Sequence, residues 1–176
     1  MFSAYFDGSG SPKDTPIVAV AGFIASPEQW TQFEGNWKDA CTAFGVSGLH
    51  MKDYAHSNRE FETWKGNIRK RQRFLERLIN IIETRVRNSF ASAVVMSDYE
   101  QMRQEFPEFV LRPYALAGCT CISKVQRWES RKSVDPAKIA YLFEDGDLDR
   151  GQLAEVAKRY QKVNPIFLKK EESVAF

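Results

Sequence analysis

Residues 1–7 alternate, with Phe2, Ala4 and Phe6 on one side and Ser3, Tyr5 and Asp7 on the other. That period of two predicts a half-buried strand whose last residue is a carboxylate. Gly8-Ser9-Gly10-Ser11-Pro12 supplies a turn, and the continuous apolar run over 17–25 predicts a buried strand close enough to pair with the first as a hairpin. Ser26-Pro27-Glu28 opens a helix, with Ser as N-cap and Pro in the first turn. Trp30, Phe33, Trp37, Ala40, Cys41 and Phe44 recur at helical spacing, and Gly45 ends the helix. A loop is expected over 48–58. A second helix is expected over 61–85, with a stripe of Trp64, Ile68, Leu75, Leu78, Ile79 and Ile82.

Further along, residues 89–97 read as a strand and 113–128 as a helix with Tyr114, Ala117, Cys121, Val125 and Trp128 on one face. Residues 139–144 form a strand running into Asp145-Gly146-Asp147, residues 152–163 an amphipathic helix, and 165–168 a last short strand. The predicted order is β-β-α-α-β-α-β-α-β. It implies an α/β fold with mixed strand directions.

Two of these strands end in carboxylates, Asp7 and Glu144. In α/β sheets, ligands gather outside the carboxyl ends of strands. If the two strands are parallel neighbours, the acids converge, and like charges at close range call for a cation between them. Carboxylate oxygens suit hard divalent ions such as Mg²⁺ or Mn²⁺, and such ions support attack on a phosphodiester. The same acids also suit plain turn positions. Asp145, Asp147 and Asp149 extend the cluster but miss the spacing of a calcium loop. Asp149 fits the cap of the following helix, and Asp147 is kept as a third candidate metal ligand. His50 and Asp53, in LHMKDY, are candidates to contact a metal, a leaving group or a phosphate. An incidental polar pair is the alternative.

Composition narrows the classes. The chain has 176 residues, 43% hydrophobic and 13% aromatic, which suits one domain and excludes a disordered chain. No apolar stretch is long enough to span a membrane, and the N-terminus lacks the pattern of a signal peptide. Cys41, Cys119 and Cys121 lack zinc spacing, and an odd count argues for reduced thiols in the cytoplasm. The net charge of +2 hides a basic stretch containing Lys65, Arg69, Lys70, Arg73 and Arg77. It is a candidate nucleic-acid-binding face, or else a solvated one. The aromatic positions Trp30, Phe33, Trp37 and Trp64 are expected in the core.

Taken together, YFDGSGSP, VAVAGFIA, W-x-x-F-x-x-x-W, LHMKDY and AYLFEDGD resemble the bacterial family grouped as domain of unknown function 3800. The resemblance covers nearly the whole chain. It implies a ribonuclease H-like mixed sheet flanked by helices, and a divalent metal held by carboxylates for cutting or rearranging nucleic acid. Asp7 matches the family's first-strand acid, Glu144 its later-strand acid, and His50 with Asp53 its H-x-x-D segment. Family members continue past a KKE-like stretch into a helix carrying one more acid, whereas this sequence stops at KKEESVAF. The expectation is therefore a single ribonuclease H-like domain over 1–176, truncated before its C-terminal helix. It would act as a metal-dependent nuclease or related phosphoryl-transfer enzyme. Two alternatives stand beside it: a non-catalytic nucleic-acid- or protein-binding module of the same fold, and a hydrolase using Asp7 and Glu144 as an acid/base pair.

Overall fold

In chain order the elements are β1 (Phe2–Ser9), β2 (Ile17–Ala25), α1 (Pro27–Phe44), α2 (Met51–His56), a 3₁₀ turn (Arg59–Trp64), α3 (Ile68–Arg85), β3 (Asn88–Val95), α4 (Met96–Glu105), α5 (Pro113–Lys132), β4 (Ile139–Glu144), α6 (Arg150–Val156) and β5 (Ile166–Leu168). The computed structural model describes residues 1–109, 111–132, 138–145 and 149–169. Their contacts divide the chain into two compact units, Met1–Ile24 with Arg87–Glu172, and Ala25–Val86 with the final residues. Among the described residues no helix is long and apolar enough to cross a membrane.

The first unit holds a five-stranded sheet in the order β3-β2-β1-β4-β5. β1 and β4 run parallel, β4 and β5 run parallel, and β2 and β3 run antiparallel. The link over 10–16 is too short for a parallel crossover, so β1 and β2 are antiparallel neighbours. This is the mixed α/β arrangement that the sequence predicted. Ala4, Phe6, Val18, Val20, Tyr141 and Phe143 turn to one core, covered by Tyr114, Ala117, Cys121, Ile122 and Val125 of α5 and by Leu153 of α6. Phe6 and Phe143 stack with centroids 4.9 Å apart.

Two glycines set how closely these elements approach. A Cβ on Gly22 of β2 would sit 2.0 Å from the Tyr5 carbonyl oxygen, and one on Gly118 of α5 would sit 2.9 Å from a Leu153 methyl. The boundaries differ from expectation in three places. β1 continues two residues beyond Asp7, to Ser9. The strand expected to 97 gives way at Met96 to α4, a helix with little apolar content that buries only Tyr99. The helix expected over 152–163 ends early in a wider turn, Ala157–Gln161. There Gln161 Nε2 donates to the Cys119 carbonyl at 2.7 Å and to Ser123 Oγ at 2.8 Å.

The second unit is helical. Ser26 Oγ accepts from the Gln29 N–H at 3.3 Å while Gln29 Oε1 accepts from the Ser26 N–H at 3.1 Å, a reciprocal cap on α1. Gly45 closes that helix in the left-handed conformation. The loop expected over 48–58 contains α2. The helix expected from 61 breaks into the 3₁₀ turn and α3, because Gly66 takes a φ of 78° and Asn67 caps α3 by accepting from the Lys70 N–H at 3.0 Å. The buried stripe of α3 is Phe74, Leu78 and Ile81, whereas Ile68 and Ile79 of the expected stripe are exposed. Phe61, Trp64 and Phe74 form the aromatic centre, with Phe61–Trp64 at 5.0 Å and Trp64–Phe74 at 5.2 Å.

Candidate functional site

Strand register decides where the two strand-end acids stand. Phe6 and Phe143 are partners on adjacent parallel strands. Asp7 and Glu144 each follow by one residue, so they occupy neighbouring positions at the carboxyl end of the sheet. Successive side chains alternate across a strand, so both acids lie on the face opposite the stacked phenylalanines. Asp7 is exposed and Glu144 is partly buried.

Two of the acids that follow Glu144, Asp145 and Asp149, are occupied by arginines. Asp145 is ion-paired with Arg150, and its N–H donates to the Leu168 carbonyl at 2.7 Å. Asp149 is buried and accepts from Arg112 Nη1 at 2.9 Å. Asp149 stands at the cap position of α6 as expected, but its side chain reaches Arg112 instead of the helix N–H groups. The Arg112 N–H donates to Gln152 Oε1 at 2.7 Å, a second tie between the start of α5 and α6. Asp147 lies outside the described residues. Among the described residues, no group of three or more His, Cys, Asp or Glu side chains is placed to hold a metal ion.

His50 and Asp53 belong to the second unit and do meet. His50 Nδ1 stands 3.0 Å from Asp53 Oδ2, and Arg59 Nε lies 3.6 Å from the same oxygen. With Nδ1 donating to the carboxylate, Nε2 is left at the exposed edge of the ring as an acceptor. One turn of α2 makes this pairing, since positions three apart share a helix face.

The basic stretch sorts into two kinds of residue. Arg71 donates to Ser57 Oγ at 2.7 Å and to the Tyr54 carbonyl at 2.8 Å, and lies over the Tyr54 ring at 4.3 Å. Lys70 Nζ sits 4.2 Å from the Trp64 ring centre. Arg85 donates to Asn36 Oδ1 at 2.8 Å and to Gln32 Oε1 at 3.1 Å. Lys65, Arg69, Arg73 and Arg77 are exposed. The structural roles of Arg71 and Arg85 had no signal in the sequence, because they depend on carbonyls and amides brought near only by the fold.

All three cysteines are free and buried. Burial raises the Cys119 and Cys121 thiols to about 11, and Lys124 offsets little of that at Cys121. Burial, helped by the charge of Glu60, raises Cys41 too. The thiols are therefore poor nucleophiles, in line with the sequence expectation.

The chain aligns with a chain of the PCNA:RNase HII complex from Archaeoglobus fulgidus at 11% identity and a TM-score of 0.46. The alignment covers 97% of this chain and 64% of that one. No family model matches the chain, and no curated protein matches it.

Proposed function

We propose that this protein is a divalent-metal-dependent nuclease or related phosphoryl-transfer enzyme acting on nucleic acid. One observation carries the proposal: Asp7 and Glu144 follow the Phe6–Phe143 register pair on adjacent parallel strands and share a face. Two carboxylates at one level of a sheet repel unless a cation lies between them. Their oxygen donors fit Mg²⁺ or Mn²⁺, which are commonly held by one or two carboxylates with water completing the shell. Such an ion supplies a more acidic bound water and offsets charge on a phosphate. Asp7 and Glu144 would hold it. In this reading His50, oriented by Asp53, presents Nε2 on the second unit as a contact for substrate. Lys65, Arg69, Lys70, Arg73 and Arg77 hold the polymer backbone. Membership of the domain of unknown function 3800 family is part of the proposal and rests on the motifs quoted above.

The test is a cleavage panel of single- and double-stranded DNA and RNA with Mn²⁺, Mg²⁺ or chelator. Metal-dependent cleavage that Asp7→Asn abolishes is the expected result. Cleavage that survives full chelation would overturn the metal reading and favour an acid/base hydrolase. A second reading, a binding module without catalysis, is favoured by the Asp145–Arg150 and Asp149–Arg112 pairs, in which arginines occupy two acids that could otherwise join a metal site. Folded protein inert on every substrate would select it.

A further inference from the structure

Arg69, Arg73 and Arg77 stand at i, i+4 and i+8 on α3. At 100° per residue they drift only about 80° around the helix, and at 1.5 Å per residue they span about 12 Å along it. Asn80 and Thr84 continue the same face. The acids of α3, Glu76 and Glu83, stand on its flank or beyond it. All three arginines are exposed, and among the described residues none has a hydrogen bond or ion pair. Their neighbours Lys70, Arg71 and Arg85 all have partners within the unit.

A row of like charges at i, i+4 spacing destabilises an isolated helix by a few tenths of a kcal/mol per pair. Among the described residues no ion pair offsets that cost, so the row is suited to a polyanion. A duplex presents one phosphate per ~3.4 Å of axis on each strand, so a 12 Å row meets several of them. The aromatic side chains of the unit argue against a single strand. Proteins that bind single strands stack bases on exposed rings. Here Trp30, Trp37, Tyr54, Phe61 and Trp64 are all buried, and Phe44 packs against Trp64 and Phe74. Among its described residues the unit therefore offers cations without a stacking platform.

We infer that the Arg69–Arg73–Arg77 row binds the phosphate backbone of a double-stranded nucleic acid, without reading bases. This rests on the nucleic-acid proposal above and narrows its polymer to a duplex. The experiment is fluorescence anisotropy on the whole chain, in chelator so that no cleavage intervenes. The probes are duplex DNA, duplex RNA and a single strand of equal length, each titrated across a salt series. Duplex is expected to bind more tightly than the single strand, and the two duplexes distinguish DNA from RNA. The slope of log affinity against log salt should fall by about 0.9 for each arginine replaced by alanine. Arg69→Lys, Arg73→Lys and Arg77→Lys together should keep the slope, while Arg→Ala at the same exposed positions keeps the fold and does not lower the melting temperature. An unchanged slope in the triple alanine variant, or a single strand bound as tightly as duplex, would overturn the inference. Loss of the slope with no cleavage on any substrate keeps the duplex row and sinks the nuclease. Asp7-dependent cleavage with an unchanged slope does the reverse.

Discussion

Cys121 donates its thiol hydrogen toward the Val20 carbonyl at 3.3 Å, beneath the α5 face that covers the sheet. Cys119 is buried two residues before it in the same helix. Both thiols titrate ordinarily near 9.0 and near 11 in the folded chain, because burial disfavours the thiolate. The unfolded chain therefore releases these protons at lower pH than the native one. Their contribution to stability is intact below about pH 9 and is lost as pH rises from 9 toward 11. Urea midpoints measured on either side of that window should fall with pH. In the Cys119→Ala, Cys121→Ala variant they should fall less steeply, and equal slopes would remove the thiols from the account. Tyr141 is shifted upward too, by burial and then by the charge of Glu129, so the variant keeps a residual slope.

Gly22 carries the approach of β2 to β1, and with it the frame on which Asp7 sits. A methyl there meets the Tyr5 carbonyl and the Phe6 ring, and backbone cannot step aside as a flexible side chain can. Gly22→Ala is expected to cost about 3 kcal/mol, at the upper end of overpacking effects. Denaturant titration measures it directly, and a loss below about 1 kcal/mol would mean that the two strands can separate. Other elements show what the sequence could and could not disclose. Strand β4 was legible to the residue, because an apolar run meets a cluster of acids. The break before α3 was not, because Trp64 and Ile68 keep helical spacing across Gly66 and only the backbone reveals the interruption. Ile79 was placed in the buried stripe in place of Ile81, since aliphatic residues crowd that stretch and composition does not choose between neighbours. α4 escaped because it begins at the last strand residue with no turn between, and buries one side chain. The neighbouring positions of Asp7 and Glu144 were legible because each carboxylate follows a phenylalanine at the close of an apolar run, although β1 itself continues to Ser9. The separation of Arg71 from Arg73 was not, since identical side chains differ only in what the fold brings near them.

At the scale of the whole molecule, metal binding and folding are one equilibrium. Any ion that binds only the native acid pair raises stability, by ~2.7 kcal/mol at a hundredfold excess over its Kd. Thermal melts with and without Mn²⁺ should show an upward shift that Asp7→Asn and Glu144→Gln each remove. A shift that persists in both variants would place the ion elsewhere. This measurement is independent of substrate, so it tests the acid pair even if the polymer has been misassigned.

The pairing of β1 with β4 joins residues 2–6 to residues 139–143, while Ala25–Val86 is a single continuous stretch. A ribosome therefore releases Ala25–Val86 complete long before it releases Glu144. Until then Asp7 lies on a hairpin with no second carboxylate beside it. A contact between such distant positions also forms late in folding, because the intervening chain must be ordered first. The nascent protein thus has no assembled acid pair until residue 144 has emerged, and under the nuclease proposal it would stay harmless until then to the message and the ribosome that are making it.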